Sequence, residues 1–176
     1  IAAYGVVANV ALVATAVFNG ISQGSQPLLS DYYGKNDDKS VQKILRLSII
    51  TGIAAAVLII LVTNLIPDVI VAVFNNENNA EMASYAVFGV QLYFTGFLFA
   101  GFNIIGTGFL SATESAAWAF ITSVLRGFVA ISLCALLLSA LFGMTGVWLA
   151  FPVAEFITAV LMVIAIAQNV RKMRTK

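Results

Sequence analysis

The chain has 176 residues, 61% of them hydrophobic and 10% charged, where a soluble domain carries roughly 25% charged residues. That composition is a membrane protein's, so the lipid bilayer is an expected partner. A net charge of +1 gives no basic excess of the kind nucleic acid requires, and no nucleic acid is expected. With no histidine, Ser-His and Cys-His catalysis and His-ligated metal sites are excluded, and no catalytic residue, metal or organic cofactor is expected.

The sequence begins with Ile1 inside apolar sequence, with no polar segment before it, which does not read as a signal peptide. Residues 1–176 are therefore expected to be one membrane lobe whose N-terminal part is missing, while "RKMRTK" reads as a natural polar end. Five apolar stretches follow in order, at about 4–29, 44–66, 82–110, 117–141 and 146–168. Each reaches the ~20 residues needed to cross a bilayer. Backbone groups in lipid must be satisfied within the segment, so all five are expected to be helices, making the fold all-α.

The links are "DYYGKNDDKSVQK", "PDVIVAVFNNENN", "TESA" and "FGMTG". In the second, Pro67 and Asp68 suit a helix start. Val69 to Phe74 is too short to span and predicts a short interfacial helix. Lys35, Lys39, Lys43 and Arg46 surround the first link, and Arg171, Lys172, Arg174 and Lys176 form the tail. The second link has Asp68, Glu77 and Glu81 without Lys or Arg. An even number of spans separates the first link from the tail, so the positive-inside rule puts both in the cytoplasm. Cys134 lies in an apolar run and reads as a small core or lipid-facing residue rather than a reactive thiol.

Two ionisable residues fall deep inside spans. Arg126 is about nine residues into the fourth from one face and Glu155 about nine into the fifth from the other, each at ~14 Å depth. The short "FGMTG" makes those spans antiparallel neighbours, so the two can meet. A structural ion pair and a substrate or proton path both remain open readings. Arginine cannot shed its charge, so loss of Glu155 is expected to harm folding more than loss of Arg126. Pro152 leaves the Trp148 carbonyl without its helical donor, a defect that can hold water or bend the helix.

Asn19, Gln23 and Gln26 recur at spacings of four and three, on one face of the first span. Gln91 and Asn103 add polar groups to the third. These five are candidate cavity-lining residues, with interhelical hydrogen bonding as the plainer alternative. Gly20 and Gly24 have the G-x-x-x-G spacing of close helix approach. The third span is rich in aromatic residues, among them Tyr85, Phe88, Tyr93, Phe94, Phe97, Phe99, Phe102 and Phe109; they read mainly as packing or lipid-facing groups.

The run "GISQGSQPLLSDYYGK" resembles the eighth helix of the multidrug and toxic compound extrusion (MATE) family, with its G-x-x-x-G-x-Q-P pattern. Asp31 and Lys35 depart from the family's N-Y-G-A-like loop. "NIIGTGFLSATESA" is similar to the end of the tenth helix, "SVLRGF" to the eleventh and "GVWLAFPVAEF" to the twelfth. The resemblance implies helices eight to twelve of a twelve-helix, two-lobe transporter working by alternating access. It also implies a multi-pass protein of the plasma membrane, with a cytoplasmic C-terminus and an N-terminal lobe from the same chain as partner. The function implied is secondary active antiport of cationic amphiphilic drugs or toxic compounds, small organic cations, in exchange for H⁺ or Na⁺. Ala100 stands where several members carry an acidic cation ligand, so coupling falls to Glu155 or to parts outside this chain. Pro27 is expected to end or bend the first helix at the cytoplasmic mouth. Alternatives are a lipid-linked oligosaccharide flippase of the same superfamily, for which Arg126 is a lone cavity base, and a non-transporting membrane scaffold.

Overall fold

A computed structural model describes residues 2–74 and 80–174, and the regular structure among them is helical. Helix α1 spans Ala2–Gly34. Its buried residues Val7, Ala11, Ala14, Phe18, Ser22 and Leu29 recur at helical spacing and form one stripe. Leu12, Val13 and Val17 are exposed on the rest of its surface, as lipid permits. Of the two outcomes expected at Pro27, an end or a bend, the first does not occur: α1 continues to Gly34. A proline removes one intrahelical hydrogen bond, and here Leu29, Tyr32 and Tyr33 beyond it pack into a core cluster that holds the last turns in place.

The first link thereby shrinks to Lys35–Asp37. Asn36 takes φ 55°, a left-handed conformation that asparagine adopts more readily than most residues. Asp37 caps α2 (Asp38–Leu65): its carboxylate accepts from the Ser40 amide at 3.1 Å and the Ser40 hydroxyl at 2.6 Å. Those two bonds hold the Asp37 carboxyl below its ordinary value. The Lys35 ammonium lies 2.7 Å from Asp31, one turn back on α1, and that bond raises its ordinary value.

Val41, Leu45, Ser48, Gly52, Ala56 and Thr63 form the buried stripe of α2. The short helix α3 (Pro67–Phe74) follows, with Val71 anchored in the core. Glu77 and Glu81 of the second link, and Arg174 and Lys176 of the tail, lie outside the described side chains.

The third span is not one straight helix. Helices α4 (Ala80–Phe94) and α5 (Phe97–Ala112) meet at 47° across Thr95 and Gly96. The Thr95 hydroxyl donates to the Leu92 carbonyl at 2.7 Å, and the helical ladder restarts from the Gly96 carbonyl, which accepts from Ala100 at 2.9 Å. Serine, threonine and glycine are usual kink residues for these reasons. A Cβ on Gly96 would lie 2.9 Å from the Pro152 Cα, so the bend seats one backbone directly on another.

Helix α6 (Ala116–Val124), a π-helical turn (Leu125–Ala130) and α7 (Ile131–Phe142) form the fourth span as one rod. Gly143 at φ 58° turns the chain into α8 (Met144–Arg174). That conformation favours glycine. α8 runs through Pro152 without interruption. With four long apolar helices, and a fifth span if the bent pair is counted as one, the protein is an all-α membrane protein.

α5 is the hub, packing against α1, α2, α6 and α8. Gly101 allows this on one side, where a Cβ would collide with the Phe18 ring, and Gly108 on the same side, where it would collide with Ser22. Gly20 and Gly24 do not serve this purpose, since a Cβ on either meets nothing within 4 Å. The close-approach glycines lie on the partner helix instead. Tyr93, Phe94, Phe97 and Phe99 make ring contacts with one another or with α8, with Tyr93 and Phe151 stacked at 4.2 Å between ring centroids. Tyr85 and Phe88 are exposed.

Candidate functional site

Arg126 and Glu155 meet. The guanidinium Nε donates to Glu155 Oε1 at 2.7 Å, linking the π-helical turn to α8. The two ends differ in environment: the Glu155 side chain is 5% exposed and that of Arg126 27%. Glu155 is further held by α5. The Asn103 amide Nδ2 donates to Glu155 Oε2 at 2.7 Å and to its backbone carbonyl at 2.9 Å. Both carboxylate oxygens are thus engaged by donors, as a buried charge requires. The Asn103 Oδ1 atom is buried without a hydrogen-bond partner.

Arg126 sits in the widened turn Leu125–Ala130. A π-helical turn inside an α-helix is rare and is found often at functional sites. Gly127 follows, with open space where a Cβ would be. Two clefts flank the guanidinium. One, of about 250 Å³, is walled by Asn19, Ser22, Gln23 and Gln26 of α1, Thr107 and Ser111 of α5, and Ser123 beside Arg126. The other, of about 240 Å³, lies between Arg126, Ile131, Phe151, Ala154 and Glu155. Among the described residues, Glu155 is the one acid lining either cleft.

Among the residues singled out from sequence, Asn19, Gln23, Gln26 and Arg126 therefore share one cleft. Asn103 is fully buried behind the carboxylate rather than on the cleft wall. Gln91 is half-buried on α4 and lines neither cleft. Ser22, Thr107, Ser111 and Ser123 line the cleft without having been singled out. For two of them a signal existed: Asn103, Thr107 and Ser111 are spaced by four and share a face of α5. Their hydroxyls bond back to the carbonyls of Asn103 and Thr107, at 2.9 and 3.0 Å. A second missed polar group, Asn169 on α8, donates to the hydroxyls of Thr113 and Ser115 and ties α8 to the α5–α6 turn.

The MatE family model matches residues 1–136. The chain is 27% identical over 161 residues to the multidrug export protein MepA of Staphylococcus saprophyticus, covering 90% of this chain and 34% of that protein. It is 28% identical over 163 residues to MepA of Staphylococcus haemolyticus, covering 92% and 35%. The chain thus spans about a third of the length of these curated relatives, 34% and 35%. Among solved structures, the outward-facing conformation of a multidrug resistance MATE family transporter of the MOP superfamily superposes with TM-score 0.94 at 10% identity, covering 99% of this chain and 39% of that one. An inward-facing conformation of such a transporter gives 0.91 at 10% identity, covering 97% and 39%. The Vibrio cholerae MATE transporter VcmN in the bent form gives 0.91 at 16%, covering 99% and 39%. At these identities the likeness to solved structures is one of fold.

Proposed function

This chain belongs to the MatE family, and from that membership we propose that it is the C-terminal lobe of a twelve-helix, two-lobe antiporter. The transporter exports cationic amphiphilic compounds in exchange for H⁺ or Na⁺ and performs no enzymatic chemistry. The observation that carries this reading is the polar cleft of α1, α5 and the π-helical turn, set in an apolar bundle around a buried ion pair. A wall of Asn, Gln, Ser and Thr with a charge at its base is costly in lipid, and such walls mark transport paths. Relatives named as multidrug export proteins support the substrate class. The likeness to both an outward-facing and an inward-facing structure, at TM-scores 0.94 and 0.91, supports a lobe that moves as a body while access alternates.

In this reading the protein lies in the plasma membrane with the Lys35–Asp37 link and the tail in the cytoplasm, and the second lobe is supplied by the same polypeptide. Glu155 is the coupling acid within this lobe. Both of its oxygens accept from Arg126 and Asn103, so taking up the coupling ion there exchanges one of these bonds and loosens Arg126 beside the cleft. The test is uptake of a fluorescent organic cation into everted vesicles containing the full-length protein, driven by a pH or a Na⁺ gradient. Export under neither gradient would overturn the reading.

A further inference from the structure

The ion pair engages Arg126 through Nε alone. A guanidinium carries five N–H donors in a planar fork. The four on its terminal Nη groups make no hydrogen bond among the described residues, and the side chain borders both clefts. Glu155 shows the opposite arrangement: it is buried and both of its oxygens are occupied. Among the described residues, a cation entering the cleft therefore meets no free carboxylate, whereas an oxyanion meets a fork of unused donors.

We propose that the Nη groups of Arg126 form an oxyanion subsite, taking the carboxylate or phosphate of a transported compound, with Glu155 and Asn103 as positioning residues that hold the guanidinium by its Nε edge. Gln23, Gln26 and Ser123 stand on the same cleft wall to hydrogen-bond the rest of the headgroup. Charge counting narrows the ligand class. Arg126 and Glu155 cancel, so a bound carboxylate leaves one net negative charge in a low-dielectric bundle. A ligand that carries its own positive charge offsets it. Zwitterionic amphiphiles are thus held better here than bare cations of the same skeleton. A planar fork binds a carboxylate or phosphate through two parallel bonds, which a lysine cannot reproduce. This subsite rests on the export reading above and refines its substrate class.

The experiment uses the full-length protein in proteoliposomes and two rhodamine dyes. One carries a free benzoate and is a zwitterion; the other is its ethyl ester, a bare cation. The ratio of acid to ester export is measured for wild type, Arg126→Gln and Arg126→Lys, and the neutral pair Arg126→Gln/Glu155→Gln is made alongside. The expected result is a fall in that ratio of about tenfold in Arg126→Gln, the scale of one lost hydrogen bond to a charged group. Arg126→Lys is expected to fall between. In the double variant, which leaves no stranded carboxylate but lacks the coupling acid, the ratio is read, against wild type, as equilibrium binding of the two dyes to the purified protein; the same fall is expected there, which removes misfolding as the cause. A ratio equal to wild type in both Arg126→Gln and the double variant overturns the subsite. Two zwitterions of equal chain length, octylphosphocholine for phosphate and an octyl betaine for carboxylate, are then added as competitors of acid export by wild type. Selective inhibition by one assigns the subsite to that oxyanion, and inhibition by neither overturns it. Export of neither dye by wild type counts against the export reading instead.

Discussion

The side-chain amide of Asn103 donates to both the carboxylate and the backbone carbonyl of Glu155, at 2.7 and 2.9 Å, across the α5–α8 contact. One side chain thus fixes the acid and also occupies a carbonyl of α8 close to Pro152. Asn103→Ala leaves two buried acceptors short of a donor and should destabilise the bundle by about 1–3 kcal/mol. Asn103→Asp should be worse at neutral pH, because it sets a second carboxylate against the first, and should recover on acidification. Thermal unfolding in detergent across pH tests both, and an unchanged midpoint for Asn103→Ala would refute the role.

Breaking a buried pair by removing one partner costs roughly 3–5 kcal/mol, but the unequal exposure of Arg126 and Glu155 makes the two deletions unequal. From sequence, loss of Glu155 ranks as the worse because arginine stays charged. The structure reverses that ranking. Arg126 borders two clefts where water can solvate it, and a glutamine at 155 still accepts from Asn103. Arg126→Leu should therefore lower membrane yield more than Glu155→Gln at neutral pH. A charge-swapped double variant should not recover, because the Asn103 amide would then face a second donor. Recovery by the swap would show that Asn103 turns freely.

Helix approach is governed by glycines on α5 and at the bend. A Cβ on Gly96 meets the Pro152 Cα at 2.9 Å, backbone that cannot step aside. Gly96→Ala should cost about 1–3 kcal/mol through overpacking. Gly20→Ala and Gly24→Ala meet open space and should fold at least as well as wild type, with a helix-propensity gain of up to ~1 kcal/mol. Yield and midpoint of the three variants decide it. Equal loss at Gly20 and Gly96 would mean that the G-x-x-x-G pair packs tightly after all.

The Asp37 cap titrates. Its carboxyl is held below the ordinary 3.8 by the Ser40 hydroxyl and amide. A lowered folded value means that the cap contributes fully above 3.8 and loses its contribution as pH falls through the folded value. Asp37→Ala should then lower the unfolding midpoint at pH 7 and differ less from wild type near pH 3. Asp37→Asn keeps a capping oxygen and should be milder. An Asp37→Ala deficit that stays constant over this range would assign the effect to something other than the carboxylate.

Orientation is open to direct labelling. In a Cys134→Ser background, a cysteine at Asp38 should resist an impermeant thiol reagent added to intact cells, and one at Met144, exposed beside the opposite turn, should react. Labelling at Asp38 without labelling at Met144 would invert the topology.

From sequence alone came the membrane class, the five apolar spans, the short α3, and the matched depth of Arg126 and Glu155 on antiparallel neighbours. Each depends on length, charge count or rise per residue, quantities that a linear chain carries. Only the tertiary structure decided the bend at Thr95 and Gly96, the passage of α1 beyond Pro27, the π-helical turn under Arg126, and the placement of Asn103 behind Glu155 with Gln91 away from the cleft. The cause is the solvent. In water a helix marks its inner face with apolar residues, but lipid is as apolar as a protein core. The sides of α5 and α8 therefore look alike in sequence, and which glycine meets which neighbour is settled when the helices pack.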